Sequence, residues 1–300
     1  MSKAPKHHYI PVFYLKQWAG PDDRICEFSK PFDRVKPKRV HPDGTAFVRG
    51  LNTIPGLPPE EADYLENKFF QIADDGACRV LRLLVGGSPV EFSIEQRSAW
   101  SRFLVSLVTR NPESVAKYLA AGEAVYRAAA LRLQADYERH KRPEDPPTYE
   151  EYAAKNSPNP AGRAGAHLLQ RVTDSALIGN HIIRMRWMVL YDPRPPYPLL
   201  TSDRPVVMTN GISKPNSQII LPISPRHVFV ATNNVETENY IRGIMHRQQL
   251  IQQINERTAR QSRKFVYGCD DAQLKFVSKR LGMKWTADPL ENLELEIPEV

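Results

Sequence analysis

The sequence predicts an α+β fold in a single domain, a mostly antiparallel sheet packed against a large helical segment. Three observations carry that prediction. Apolar residues recur at spacings of three and four between residues 59 and 182. The period switches to two from Met185 onward. Helical and strand patterns stay in separate blocks instead of alternating, which points away from a doubly wound parallel sheet.

Taken in order, Pro11 opens a short helix that Gly20 closes, with His7 and His8 immediately upstream. Residues 24–29 and 46–49 read as short strands joined by a basic, proline-containing loop. From residue 59, Ala62, Leu65, Phe69, Ile72, Ala73, Ala77, Val80, Leu81 and Leu84 are expected to line one buried helical face that ends at Gly86-Gly87. Ser93 with Gln96 is a capping box for a helix to about Thr109, and Asn111-Pro112 starts a long alanine-rich helix to about His140. Residues 141–162 are proline-rich and read as an exposed polar loop, followed by a helix over 163–182. Met185, Trp187, Val189 and Tyr191 alternate as a strand, with further strands at 199–200, 206–208, 218–223 and 227–231, expected in one sheet. A helix over 236–262, a strand at 265–268 and a last helix over 271–281 complete the pattern. The domain is expected to span 1–285, with its helical block over 59–182 and sheet block over 184–232, and an acidic tail at 286–300.

Composition narrows the class. Hydrophobic residues at 41% and charged residues at 25% of the 300 disfavour disordered and membrane chains. No apolar run reaches the length of a membrane span, and the stretch from Ile10 to Leu15 is too short for a signal-peptide core. Cys26, Cys78 and Cys269 form neither a disulfide framework nor a thiolate cluster. The expectation is a cytoplasmic protein with no membrane partner. The net charge of +7 is modest, but residues 24–49 hold seven basic against three acidic side chains and residues 240–264 six against one. Such concentration suits nucleic acid or another phosphate-bearing ligand, and it equally suits a solvated surface.

Four clusters stand out. His7-His8-Tyr9-Ile10-Pro11 places two titratable rings at a helix entry, where they suit phosphate binding or acid/base work. A metal there would take one histidine plus distant ligands, because adjacent residues point apart. Thr201-Ser202-Asp203-Arg204-Pro205 projects from the end of strand segments. Asp203 is a candidate metal ligand or histidine orienter and Ser202 a phosphate donor or nucleophile, although no nucleophile elbow surrounds it; a self-bonded turn explains the cluster equally well. Arg110 closes a helix, where it either complements the dipole or clamps a phosphate. Asn255, Arg257, Arg260 and Lys264 read as a stripe on one exposed helix side, suited to phosphate contact or to plain solvation. There is no phosphate-binding glycine loop, dinucleotide fingerprint, His-Glu-x-x-His, Cys-x-x-Cys or kinase signature, so no nucleotide cofactor is indicated, while a divalent metal stays open.

His7-His8-Tyr9-x-Pro11-x-Phe13-Tyr14-Leu15, Arg110-x-Pro112, Thr201-Ser202-Asp203-x-Pro205, and Asn255 before Ala259 together resemble an uncharacterised bacterial family of unknown function that opens with the His-His-Tyr-x-Pro signature. The resemblance covers about residues 6–270 and implies one continuous domain. It groups His7, His8, Arg110, Ser202, Asp203 and Asn255 as polar motif positions and implies no particular activity. The resulting expectation is a nuclease-like enzyme cleaving phosphodiesters in a defence or toxin setting. His7 or His8 serves as acid/base, Asp203 orients it, Arg110 clamps the anion, and Tyr9 and the basic stripe bind. A nucleic-acid-binding or regulatory module without chemistry, or a protein-interaction scaffold, are the alternatives. The geometric core of the expectation is a histidine within reach of Asp203.

Overall fold

Proline and basic residues at the N-terminus build more strand than their pattern suggests. In a computed structural model describing residues 4–86, 91–193, 195, 197–244 and 248–283, the chain opens with β1 (Lys6–His8). Pro11, extended at φ −62° and ψ 143°, caps α1 (Val12–Leu15), which tightens into a 3-10 turn through Trp18. Strands β2 (Ile25–Ser29), β3 (Lys36–Val40) and β4 (Phe47–Arg49) follow. β1 pairs antiparallel with β4, Lys6 opposite Arg49 and His8 opposite Phe47. β3 corrects the expected loop: Lys-Pro-Lys-Arg-Val lacks an apolar alternation, yet it pairs with all of β2. It lies at a sheet edge, where proline and lysine are tolerated because one side of the strand needs no partner.

The helical block begins with α2 (Pro59–Ala62) and a π-helical stretch, Leu65–Phe70, that runs directly into α3 (Gln71–Val85). Ser93 forms the expected capping box on α4 (Ile94–Thr109), and the Asn111 side chain accepts from the Ser114 amide to start α5 (Pro112–His140). The region expected to be a loop contains α6 (Tyr149–Asn156), capped by Thr148. The single helix expected over 163–182 is two, α7 (Pro160–Thr173) and α8 (Ala176–Arg184), because the Ser175 hydroxyl caps a new start. Helices α5 and α7 cross at two glycines. A Cβ on Gly122 would lie 2.2 Å from the Gly165 Cα, so nothing larger than glycine fits this crossing.

The remaining elements are β5 (Arg186–Tyr191), β6 (Thr201–Ser202), β7 (Val207–Thr209), β8 (Gln218–Pro222), β9 (His227–Thr232), α9 (Val235–Ile244), α10 (Gln248–Gln261), β10 (Phe265–Gly268) and α11 (Leu274–Ser278). Two four-stranded antiparallel sheets result, in the orders β3-β2-β10-β6 and β5-β9-β8-β7. The α+β class is therefore as expected, while the single sheet expected over 185–231 is not. Thr201 and Ser202 leave it to pair with Tyr267 and Val266. The second sheet packs its Leu221, Phe229 and Ala231 face against Trp100 and Phe103 of α4 and against Tyr14, Leu15 and Trp18. The N-terminal segment is pinned there by the Trp18 indole N–H donating to Leu199 O at 2.7 Å and the Tyr14 hydroxyl donating to Pro222 O at 2.6 Å. The acidic tail at 286–300 lies outside the described residues. Among the described residues no helix is long and apolar enough to cross a membrane.

Candidate functional site

Strand alternation sends His7 and His8 to opposite faces of β1, and the two rings acquire different chemistry. His7 is buried; its Nδ1 accepts the Asn52 amide N–H at 3.0 Å and its Nε2 lies 3.7 Å from Asp63 Oδ1. With its Nδ1 lone pair occupied, His7 carries its proton on Nε2 and faces a carboxylate. His8 is half-buried against Phe47, its Nε2 3.2 Å from the Asp43 carbonyl, which Lys6 Nζ also meets at 2.9 Å. That carbonyl can only accept, so the His8 proton is on Nε2 and the Nδ1 lone pair is left over. Burial lowers the His8 pKa below its ordinary value, with Lys6 and Arg110 acting the same way and the Asp43 carbonyl bond opposing them.

Carboxylates from one helical stretch gather on the His7 side. The π-helical stretch carries Glu66, whose Oε2 accepts from Asn52 Nδ2 at 2.8 Å. π-helical turns are rare and cluster at functional sites, because they re-aim a side chain without ending the helix. Asp63, just before it, accepts the Thr53 hydroxyl at 2.5 Å, and Asp74, on α3, takes both terminal nitrogens of Arg110 at 2.9 and 3.1 Å. Burial raises the pKa of Glu66 and of Asp74, and the favourable partners Asn52 and Arg110 reduce that rise without cancelling it. Asn52 thus ties His7 to Glu66, and Arg110 exerts its charge on His8, Glu66 and Asp74 alike. His7, Asn52, Asp63 and Glu66 thus form one partly desolvated group, and His8, on the other face of β1, feels the charge of the buried Arg110–Asp74 pair.

Several expected roles change. Arg110 is only 1% exposed, flanked by the Phe70 and Phe103 rings, with its fork spent on Asp74, so it is an internal ion pair and not an open phosphate clamp. Among the described residues Asp203 orients no histidine. Its Oδ1 accepts the Arg263 amide at 2.9 Å and its Oδ2 the amides of Lys264 at 2.6 Å and Phe265 at 3.2 Å. Burial nevertheless pushes its pKa up to about 6. The expected His–Asp203 pair is therefore absent, because His7 and His8 take Asn52, Asp63 and Asp43 instead. Ser202 is fully buried and its Oγ accepts the Arg204 amide at 3.2 Å, which is the self-bonded turn and no nucleophile. Tyr9 is buried, its phenol pKa raised by burial and then by the negative charge of Asp203, Glu113 and Glu27.

The basic stripe also divides. Asn255 is buried, accepting from the Leu200 amide at 2.8 Å and donating to Pro198 O at 3.0 Å, so it holds the chain entering β6. Arg260 pairs with Glu256 one helical turn back, while Arg257 and Lys264 are exposed. Sequence reasoning missed Asn52, Asp63, Glu66 and Asp74. A signal existed for the three acids: spacings of three and eight keep them on one helical side, beside the apolar face.

Among the described residues no three His, Cys, Asp or Glu side chains gather closely enough to hold a metal ion. A cavity of about 760 Å³ opens elsewhere, beside Gln17, Ser224, Arg226, His227 and Cys269. There Ser224 Oγ accepts the Arg226 and His227 amides and lies 2.8 Å from His227 Nδ1, burial and then Arg226 lower the His227 pKa, and burial pushes the Cys269 thiol up to about 11.

The model of one family, described as a protein of unknown function (DUF4238), matches residues 6–272. The chain belongs to this family. The DUF4238 match begins at β1 and ends between β10 and α11, so the histidine strand, the acidic helix, Arg110 and Asp203 all fall inside it. No curated protein and no solved structure matches the chain.

Proposed function

We propose that the chain hydrolyses phosphodiester bonds at His8, with nucleic acid as the substrate class. The observation that carries this reading is the state of His8. Its ring is fixed through Nε2, its Nδ1 lone pair is uncommitted among the described residues, and burial keeps it neutral near pH 7. Water, or a neighbouring substrate hydroxyl, gives its proton to His8 Nδ1 as its oxygen bonds to phosphorus. The P–O ester bond breaks on the opposite side, and the leaving oxygen takes a proton from solvent. His8 then releases its proton to solvent. Lys6, exposed beside His8, meets the phosphate charge. His7, Asn52 and the Arg110–Asp74 pair are positioning residues, because they act through the groups they hold.

A second reading, binding without chemistry, draws support from Ser202, Asp203 and Asn255, whose polar atoms are all committed to backbone. The two separate by assay. Purified protein is incubated with labelled single- and double-stranded DNA and RNA, with and without added divalent cation. His8→Ala should lower the rate by about 10²- to 10⁴-fold, with binding retained. In the pH–rate profile the limb governed by His8 should fall below pH 6.5, because the base works only when neutral and its pKa is lowered. Wild-type protein that cleaves none of the four substrates, or His8→Ala protein that cleaves at the wild-type rate, defeats the hydrolytic reading.

A further inference from the structure

Positive charge gathers a second time where β2 turns into β3, at a sheet end that also carries an exposed aromatic ring. Ser29 is opposite both Lys36 and Phe265, so residues 30–35 and the Arg263-Lys264 pair leave the sheet at the same end although 230 residues separate them. Asp203 follows β6 at that end too, and its three bonds to the amides of Arg263, Lys264 and Phe265 fix the turn that presents the two cations. Lys30, Arg34, Lys36, Arg263 and Lys264 are all exposed, and among the described residues none of them forms an ion pair. Asp33 is the one acidic residue within the turn. Phe32, at its tip, is 79% exposed.

We propose that this sheet end is a binding surface for single-stranded nucleic acid, on which a base stacks against Phe32 and the flanking phosphates meet Lys30, Arg34, Lys36, Arg263 and Lys264. A lone exposed phenylalanine needs no explanation, and lysine on an edge strand protects against aggregation. Neither accounts for an exposed ring and cations from two distant segments meeting at one sheet end, one of those segments held in place by a buried carboxylate. Alternating cations and a stacking ring are what a single strand requires, because its bases offer π-faces that a duplex keeps stacked inside. On β3, Lys36 and Lys38 recur on one face about 7 Å apart, two strand residues, and both are exposed, extending the charged track along the sheet edge. The surface goes beyond the hydrolytic site and uses none of its residues. The Arg204–Glu113 contact at 3.5 Å joins this sheet end to the first turn of α5, directly after Arg110, so the two regions adjoin.

The test is fluorescence anisotropy of the intact protein with labelled oligothymidylate, oligouridylate and a DNA duplex, alongside flotation with phosphatidylserine vesicles. The single strands should bind more tightly than the duplex, and the comparison of the first two distinguishes DNA from RNA as the source of the strand. Phe32→Ala should weaken single-strand binding roughly ten- to hundredfold and Phe32→Trp should restore it. Lys30→Ala with Lys264→Ala should flatten the salt dependence by about 1.4 in log–log slope. No single-strand binding, duplex binding as tight as single-strand binding with Phe32→Ala neutral, or Phe32-dependent capture by vesicles in place of oligonucleotide would each overturn the proposal. Binding should persist in His8→Ala, so loss of cleavage with intact binding tests the hydrolytic site alone.

Discussion

Replacing Asp203 by alanine separates the two forces that act on its buried carboxyl. In the wild type the side chain is 4% exposed and accepts three backbone N–H groups. Alanine leaves those three donors without an acceptor. The amides of the exposed Arg263 and Lys264 can turn to water, whereas that of half-buried Phe265 is less free to. At about 1–3 kcal/mol for each buried donor left unmade, the loss at pH 7 is about 2–4 kcal/mol. The pH dependence is the sharper test. Burial raises the folded pKa to about 6 from an unfolded 3.8, and a raised carboxyl adds stability that is complete below the unfolded value and lost as pH rises through the folded one. At about 1.4 kcal/mol per unit this group contributes about 3 kcal/mol in full, of which the wild type gains about 2 kcal/mol between pH 6 and pH 4, and the variant gains none. Urea unfolding of both proteins from pH 4 to pH 8 measures the difference, in which other titrating groups cancel. The gap should be constant above about pH 7 and widen on acidification. A gap that narrows toward pH 4 would mean that the three N–H groups outweigh desolvation, and the reasoning would be refuted.

Gly165→Ala should lower stability by about 1–3 kcal/mol or more, because its new Cβ would lie 2.8 Å from Leu119 Cα, and an unchanged Tm would show that α5 and α7 do not cross so closely. Arg110→Met should cost about 3–5 kcal/mol by leaving Asp74 charged and unpaired in a partly buried place, and adding Asp74→Asn should recover most of it in the same denaturation assay. Limited proteolysis should cut first in the segments at 141–148 or 157–159 that flank α6, leaving fragments that co-elute on gel filtration. Halves that separate and stay folded would refute a single domain.

What the sequence revealed followed its periodicities. The period of three and four found α3 to α5, and the period of two found β5, because each pattern reflects one face against a core. β3 escaped notice because an edge strand need not be apolar on either face. The breaks at Ser175 and Thr148 escaped because a capping hydroxyl reads locally like any loop serine or threonine. The two-residue strand β6 was misassigned to the neighbouring sheet, since no local pattern says which of two sheets a short strand joins. At the candidate site, the histidines and Arg110 were visible as unusual residues. Their carboxylate partners were not, because acids flanking an apolar helical face ordinarily mean solvent.

The motif residues themselves show why a polar cluster in a sequence does not announce its partner. His7 and Asp203 are both buried polar groups with their bonding satisfied, and a pairing between them was a reasonable inference from the rule that buried polar groups need partners. Backbone amides meet that need at less cost than a second ionisable side chain does, because they bring no charge to desolvate. Asn52 N–H takes the lone pair of His7, and three amides after α10 take the oxygens of Asp203. The consequence for function is a division of labour. Asp203 acts at a distance by holding the Arg263-Lys264 turn at the end of its sheet, and His7 acts through Asn52 on Glu66. Of the polar motif residues, His8 alone keeps a ring nitrogen that the described residues leave uncommitted, so the proposed hydrolysis stands or falls at His8.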